Sequence, residues 1–269
     1  MPELPEVEVT LRGIAPSITG QVVSEVAVRE RHLRWPVPDA ITQLAGQRVR
    51  SIQRRGKYLL FNFDSGQLIV HLGMSGSLRL VPSATPAGKH DHVDVCFKNL
   101  VLRLRDPRRF GAVLWAVRGD PMHPLLAHLG IEPLSPDLTG VRLHSLAGKH
   151  RTSIKQFLMD GRRIVGIGNI YANESLFRAG ICPLARADRV SLARCERLAA
   201  AIRQTLRAAI RAGGSTLRDF VGGDGKPGYF QQTYSVYDRA DQDCHVCGTP
   251  IRRLVQGQRA TFYCPRCQR

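Results

Sequence analysis

The sequence predicts an α+β protein of more than one domain, and three observations carry that expectation. Residues 22–117 are rich in β-branched residues and are broken by tight-turn signals. Beyond residue 150 the apolar residues recur at three- and four-residue steps. The last forty or so residues hold four cysteines in two close pairs. Many short strands joined by turns imply a sandwich or barrel. The change of period implies a helical domain after it.

The β region can be followed in order. Val22, Val23, Val26 and Val28 form a β-branched run. Residues 58–63 and 67–72 flank Asp64-Ser65-Gly66, a hairpin signal. A second hairpin is expected at 93–97 and 100–104 around Lys98-Asn99, and a further strand at 111–117. Ahead of all these, the spacing between Glu6 and Ile14 supports a short helix that carries the N-terminus. The proline-rich stretch at 121–136 breaks the pattern and is placed as the domain linker.

The helical part has clear start and stop signals. Ser153 can cap a helix through Met159, stopped by Gly161. Residues 169–179 read as a helix between Gly168 and Gly180. Leu192, Cys195, Leu198, Ile202, Leu206 and Ile210 form one apolar stripe, ended by Gly213-Gly214. Thr216 and Asp219 resemble a capping box for a short helix. The glycine-rich stretch 222–228 is a mobile loop by composition.

Charge narrows the partner. The chain has 269 residues, 39 Lys and Arg against 22 Asp and Glu, and a formal net charge of +17. Such an excess favours a polyanion, either nucleic acid or an anionic membrane surface. No apolar run approaches a bilayer span, and the first 30 residues lack the apolar core of a signal peptide. The expectation is therefore a soluble, cytoplasmic protein that meets nucleic acid. In that setting seven cysteines argue for metal or free thiols rather than disulfides.

Several stretches could carry chemistry. Cys244-x2-Cys247 and Cys264-x2-Cys267 supply four thiolates at zinc-ribbon spacing, which predicts one closed, structural zinc site. Arg252, Arg253, Arg259 and Arg266 surround it, as phosphate contacts would. Gly166-Ile167-Gly168-Asn169 precedes a helix, whose bare amides could hold phosphate or simply be capped. Arg48, Arg50, Arg54, Arg55 and Lys57 form a basic run that reads as a solvated strand face, with Lys57 a possible cleft residue. Met74 lies in a Gly-flanked turn and is expected to be exposed. Arg108, Arg109 and Phe110 lie on a loop, and an exposed Phe beside Arg suits insertion between DNA bases. His90, Asp91 and His92 read as a polar loop rather than a metal site. Met1-Pro2-Glu3 carries the remaining possibility. Loss of Met1 would leave Pro2 with a free secondary amine, a nucleophile toward an aldehyde-level carbon, with Glu3 one peptide away to move a proton.

Taken together these residues resemble one family from end to end. Met1-Pro2-Glu3-Leu4-Pro5-Glu6, Arg34-Trp35-Pro36, Lys57-Tyr58-Leu59 and His71-Leu72-Gly73-Met74-Ser75-Gly76 match it in order. So do Lys89-His90-Asp91-His92, Asp106-Pro107-Arg108-Arg109-Phe110-Gly111, Gly166-Ile167-Gly168-Asn169, Asp224-Gly225-Lys226-Pro227-Gly228 and the four cysteines. The chain resembles the formamidopyrimidine-DNA glycosylases, bifunctional repair enzymes for oxidised purines.

The resemblance implies an N-terminal β-sandwich over 1–130, a helix-two-turns-helix domain over 131–228 and a zinc finger with a β-hairpin over 229–269. DNA would lie in the cleft between. It implies catalytic roles for Pro2, Glu3, Lys57 and Arg259. Pro2 would form a Schiff base at C1′ of the flipped nucleotide, Glu3 would protonate the sugar ring oxygen, and Lys57 would contact the flanking phosphate. Asn169 and Arg259 would grip phosphates. Met74, Arg108 and Phe110 would fill the hole left by the extruded base, with Arg108 facing the orphan cytosine. Glu6, Lys155 and the loop 216–229 would lie near that base, and His71, His90 and His150 would also touch DNA. The partner would be duplex DNA holding an oxidised purine or an abasic site, met by a monomer with one structural zinc ion and no membrane. Two rival readings remain: an endonuclease VIII-like enzyme for oxidised pyrimidines, and a non-catalytic zinc-containing DNA-binding protein.

Overall fold

The computed structural model describes residues 2–215 and 228–269. The chain divides into two compact units. One runs to Ala127 and takes in the described residues within 212–231; the other comprises His128–Arg211 and Gln232–Arg269.

The first unit opens with helix α1, Leu4–Ile18. It is longer than the Glu6–Ile14 spacing suggests because its start is fixed by a capping box. The Glu3 side chain takes the Glu6 N–H, and the Glu3 N–H donates to Glu6 Oε2 at 2.8 Å. Two of the three N–H groups left without a partner at this helix start, where Pro5 has none, are thereby satisfied. Val7, Ile14 and Ile18 recur on one face and are buried.

Eight strands follow. They are β1 (Glu25–Val28), β2 (Ser51–Arg55), β3 (Tyr58–Asn62), β4 (Gly66–His71), β5 (Ser77–Pro82), β6 (Asp91–Cys96), β7 (Leu100–Arg105) and β8 (Ala112–Val117). They form two four-stranded sheets, ordered β1-β6-β7-β5 and β2-β3-β4-β8, with every adjacent pair antiparallel. Val26, Val93, Val95, Leu102 and Leu104 from one sheet share a core cluster with Leu59, Phe61, Leu68, Val70 and Val113 from the other. That shared core makes the unit a sandwich rather than a barrel.

Both expected hairpins are present, β3 with β4 and β6 with β7. The β-branched run at the start yields less strand than expected. Only Glu25–Val28 pairs in the sheet, and Val22 makes an isolated bridge to Arg48. Asp91 and His92 are not a polar loop; they begin β6 and are buried. One side-chain polar atom of each finds a partner inside. Asp91 Oδ2 accepts the Gly88 N–H at 2.7 Å, and His92 Nε2 sits 2.8 Å from the Asp106 carbonyl. Buried polar groups persist when they are bonded in this way.

In the proline-rich stretch one short helix forms, α2 (Pro124–Ala127), at the division between the units. The second unit holds α3 (Gly140–Ala147), α4 (Ile154–Met159), α5 (Asn169–Ala179) and α6 (Leu192–Arg211). The ends of α4 and α5 fall where the cap signals put them. Ser153 accepts the Gln156 N–H, and Gly180 closes α5 in the left-handed region at φ 69°. Helix α3 was not anticipated, although Thr139 is a regular cap that accepts from Arg142. The apolar stripe of α6 faces inward, with Cys195, Leu198, Ile202 and Leu206 buried. The chain ends in a hairpin, β9 (Arg252–Gln256) and β10 (Arg259–Tyr263). The helix expected at Thr216–Asp219 and nearly all of the loop 222–228 lie outside the described residues. Among the described residues no helix is long and apolar enough to cross a membrane.

Candidate functional site

In the first unit the N-terminal residues are held firmly. Pro2 is buried and Glu3 is 2% exposed. The capping box places Glu3 immediately before the first turn of α1, while Glu6 Oε1 accepts the N–H of Ser215 at 2.9 Å. Glu6 thus uses one carboxylate oxygen on the N-terminal segment and the other on a residue 209 positions away.

Lys57 occupies the two-residue turn Gly56-Lys57 between β2 and β3. Gly56 takes φ 58°, which a two-residue hairpin requires and glycine adopts without strain. The basic run around it is not a bare solvated face. Arg54 is largely buried and pairs with Glu8 at 2.9 Å, and Arg50 pairs with Asp64 at 2.6 Å. Both acids come from outside the run, so no inspection of the run alone could find them.

His71 ends β4, and its ring packs against Tyr58 with centroids 4.8 Å apart. Its Nδ1 accepts the N–H of Gly73 at 3.0 Å. Burial pushes the imidazole pKa down to about 4, and the cations Lys57 and Arg34 add to that shift. The ring is therefore neutral at pH 7.

Met74 and Phe110 stand out from this unit at 41% and 42% exposure, far above what their apolar side chains would adopt for packing. Arg108 is exposed beside them, with its guanidinium carbon 4.7 Å from the centre of the Phe110 ring. The backbone explains this display. Arg109 has φ 56°, a left-handed conformation that is uncommon for arginine, and it closes a turn by donating its N–H to the Asp106 carbonyl at 3.1 Å. Gly73 meets the Phe110 backbone so closely that a Cβ there would lie 2.4 Å from the Phe110 carbonyl carbon. The two exposed turns are thus packed backbone on backbone, and only glycine permits it. His90 is half-buried beside His92, ring centroids 6.4 Å apart.

In the second unit three expected residues converge on the hairpin. Lys155 Nζ donates to the Ala260 carbonyl at 2.9 Å and to Thr261 Oγ1 at 2.7 Å. Asn169 Nδ2 donates to the same carbonyl at 3.0 Å. Arg259, the neighbouring residue, is exposed. Lys155 is only 1% exposed, so its ammonium is committed to seating β10. His150 packs on Phe157, centroids 5.6 Å apart, away from that cluster's hydrogen bonds. Sequence reasoning missed Asn173 and Glu174. Asn173 Oδ1 accepts the Phe262 N–H at 2.9 Å. Glu174 accepts the backbone N–H groups of Ser235, Val236 and Tyr237 at 2.8–2.9 Å. Their only sequence signal is polar character on the buried side of a helix.

The four cysteines form the one group of metal-ligating type found among the described residues, with sulfurs all within 4.8 Å of one another. Cys244 and Cys267 sulfurs are 3.9 Å apart, and Cys247 and Cys264 sulfurs 3.4 Å. Four thiolates at about 2.3 Å from one zinc ion would be about 3.8 Å apart, so the arrangement fits a tetrahedral ion. With all four positions taken by sulfur, such an ion is structural.

Three family models match successive stretches of the chain. Residues 1–113 match the formamidopyrimidine-DNA glycosylase N-terminal domain, 129–221 the formamidopyrimidine-DNA glycosylase H2TH domain, and 242–269 the zinc finger found in FPG and IleRS. The formamidopyrimidine-DNA glycosylases of Paraburkholderia phymatum and Burkholderia cenocepacia are 59% and 60% identical to this chain, with 100% of each chain covered. Among solved structures, the MutM (FPG) protein of Thermus thermophilus matches with TM-score 0.88 and 37% identity over 99% of this chain and 98% of its own. Lactococcus lactis Fpg in complex with abasic-site DNA matches with TM-score 0.91 and 31% identity over 99% of both. MutM bound to carbocyclic 8-oxo-G DNA matches with TM-score 0.90 and 32% identity over 99% of both.

Proposed function

This chain belongs to the formamidopyrimidine-DNA glycosylase family, and from that premise we infer that Pro2 is its nucleophile and Glu3 its proton donor. The protein is a DNA-formamidopyrimidine glycosylase, with oxidised purines in DNA as its substrates. The observation that carries the catalytic assignment is the first turn of α1, where the capping box fixes Glu3 directly after Pro2.

The chemistry balances with these two residues. The mature chain begins at Pro2, whose secondary amine attacks C1′ of the extruded nucleotide. The N–C1′ bond forms, the bond from C1′ to the base breaks with its electron pair leaving on the base, and the proton shed by the Pro2 nitrogen neutralises the departing base. Glu3 delivers a proton to the sugar ring oxygen, the ring opens and an iminium links Pro2 to DNA. Loss of a C2′ proton then expels the 3′ phosphate, loss of the C4′ proton expels the 5′ phosphate, and water hydrolyses the remaining iminium to free Pro2. The target atom is unreachable inside the duplex, so the nucleotide must first leave the stack.

Lys57, Arg259 and Asn169 serve as phosphate contacts in this reading, and His71, His90 and His150 as further DNA-side residues, while the buried Lys155 acts through the hairpin strand it holds. Met74, Arg108 and Phe110 fill the vacated space, with Arg108 reading the orphan cytosine. Their exposure on two mutually braced turns supports that reading. One zinc ion on Cys244, Cys247, Cys264 and Cys267 would give the hairpin folding energy that its small core lacks. The domains divide at about 130 and 228, and the protein works as a cytoplasmic monomer drawn to the nucleoid by DNA. A net charge of +17 supports a grip that weakens steeply with salt.

Borohydride reduction during incubation with 8-oxoguanine or abasic duplex tests the assignment. The expected result is a covalent protein–DNA adduct whose peptide map ends at Pro2. Efficient strand cleavage without any trapped adduct would remove Pro2 from the role.

A further inference from the structure

We propose that Asp106 and Ser75 are positioning residues that clamp the Met74 turn to the Arg108–Phe110 loop and so set how strictly the base opposite the lesion is read. The proposal rests on the hole-filling reading above and deepens it.

Asp106 is fully buried at 0% exposure, directly beneath a loop whose next residues are all exposed. Its two carboxylate oxygens point to two different places. Oδ1 accepts the Ser75 hydroxyl at 2.7 Å, and Ser75 follows Met74 in the first turn. Oδ2 accepts the Gly111 N–H at 2.7 Å, and Gly111 follows Phe110 in the second. Ser75 Oγ also accepts the Arg108 N–H at 3.3 Å. The chain of bonds therefore runs from the residue after Met74, through one carboxylate, to both flanks of the Arg108–Phe110 segment.

The backbone of Asp106 is held just as firmly. Its N–H donates to the His90 carbonyl at 3.0 Å, and its own carbonyl accepts the Arg109 N–H at 3.1 Å. The same carbonyl faces His92 Nε2 at 2.8 Å. Asp106 is thus anchored to β6 from behind while its carboxylate grips the two turns in front.

The choice of a carboxylate follows from the donors. Gly111 offers an N–H and needs an acceptor. The Ser75 hydroxyl receives the Arg108 N–H and must send its own proton onward to another acceptor. Two acceptors pointing in two directions describe an aspartate; an asparagine offers one acceptor and one donor. A buried carboxylate is costly unless such bonds are made, so retaining it here has a physical reason. Neither Asp106 nor Ser75 reaches solvent enough to contact DNA itself. Their effect passes through Arg108, whose base contact depends on placement to a fraction of an ångström.

Ser75→Ala removes the clamp while leaving the Gly111 bond and every exposed side chain in place. The readout is the ratio of excision opposite cytosine to excision opposite adenine, together with the melting temperature. The expected result is a fall in that ratio of about 3- to 10-fold, a part of what losing the whole base contact would cost. Asp106→Asn, nearly isosteric, should move the ratio the same way because Ser75 loses its acceptor. A merely structural role would lower activity on both duplexes in parallel and leave the ratio fixed, and that outcome in both variants overturns the proposal. If Arg108→Ala changes the ratio and neither Ser75→Ala nor Asp106→Asn does, the clamp fails alone. If Arg108→Ala leaves the ratio unchanged, the hole-filling reading fails beneath it.

Discussion

The guanidinium of Arg108 stacks over the ring of Phe110, 4.7 Å from its centre, although the residue between them is forced into a left-handed turn. A cation held over an aromatic face at an exposed site gains only about 0.5–1 kcal/mol. Stacking by itself is a weak reason to hold a strained arginine at 109, whereas a pre-formed wedge and reader is a functional one.

Arg108→Ala should therefore lower excision and relax the preference for cytosine opposite the lesion. One good base contact gives about 1–3 kcal/mol of discrimination. Single-turnover excision on duplexes with each of the four opposite bases measures it. An unchanged order and spread among the four would show that Arg108 does not read that base.

Glu3→Gln should bind lesion DNA and fail to excise. The amide keeps the shape and can still accept from the first turn, but it cannot deliver a proton. A positioned acid contributes about 10²–10⁴-fold, which is the loss expected in single-turnover rate. A verified, uncleaved extension ahead of Pro2 should abolish trapping while leaving DNA affinity intact. Normal cutting by that extended protein would leave Pro2 without its role.

Cys244→Ser should lose zinc and weaken DNA binding while the sandwich of the first unit stays folded. Metal analysis, circular dichroism and a binding titration read these together. The reason is local: the sulfur cluster and a small core around Val236, Ile251 and Phe262 lie at the base of the hairpin. Full affinity in exhaustively chelated protein would contradict a structural metal.

His71 gives the pH dependence a sign. Its folded pKa is lowered to about 4, against about 6.5 in an unfolded chain. Between those values the unfolded chain takes up a proton that the folded chain refuses. The contribution of His71 to stability is thus fully present above pH 6.5 and is lost as the pH falls toward 4. His71→Gln should flatten that part of the stability profile, followed by urea midpoints at pH 7.5, 5.5 and 4.5. Equal slopes in the variant and the parent would mean that another group is responsible.

The sequence by itself determined the division of labour along the chain. Alternating and periodic patterns placed both hairpins, and cap residues placed the ends of α4 and α5, because those signals act within a few residues. The zinc ligands were legible for the same reason, since two ligands two residues apart must share a knuckle. What only the tertiary structure decided is where polar groups find partners far away in sequence. Asp91 and His92 look like a loop until a buried strand bonds them, and Arg54 looks solvated until Glu8 arrives from α1. Lys155 spends its charge on a hairpin 105 residues away, and Asp106 reaches Ser75 across 31. Such pairs lower the cost of burying polar groups only once the chain has folded, and no local pattern of residues records them.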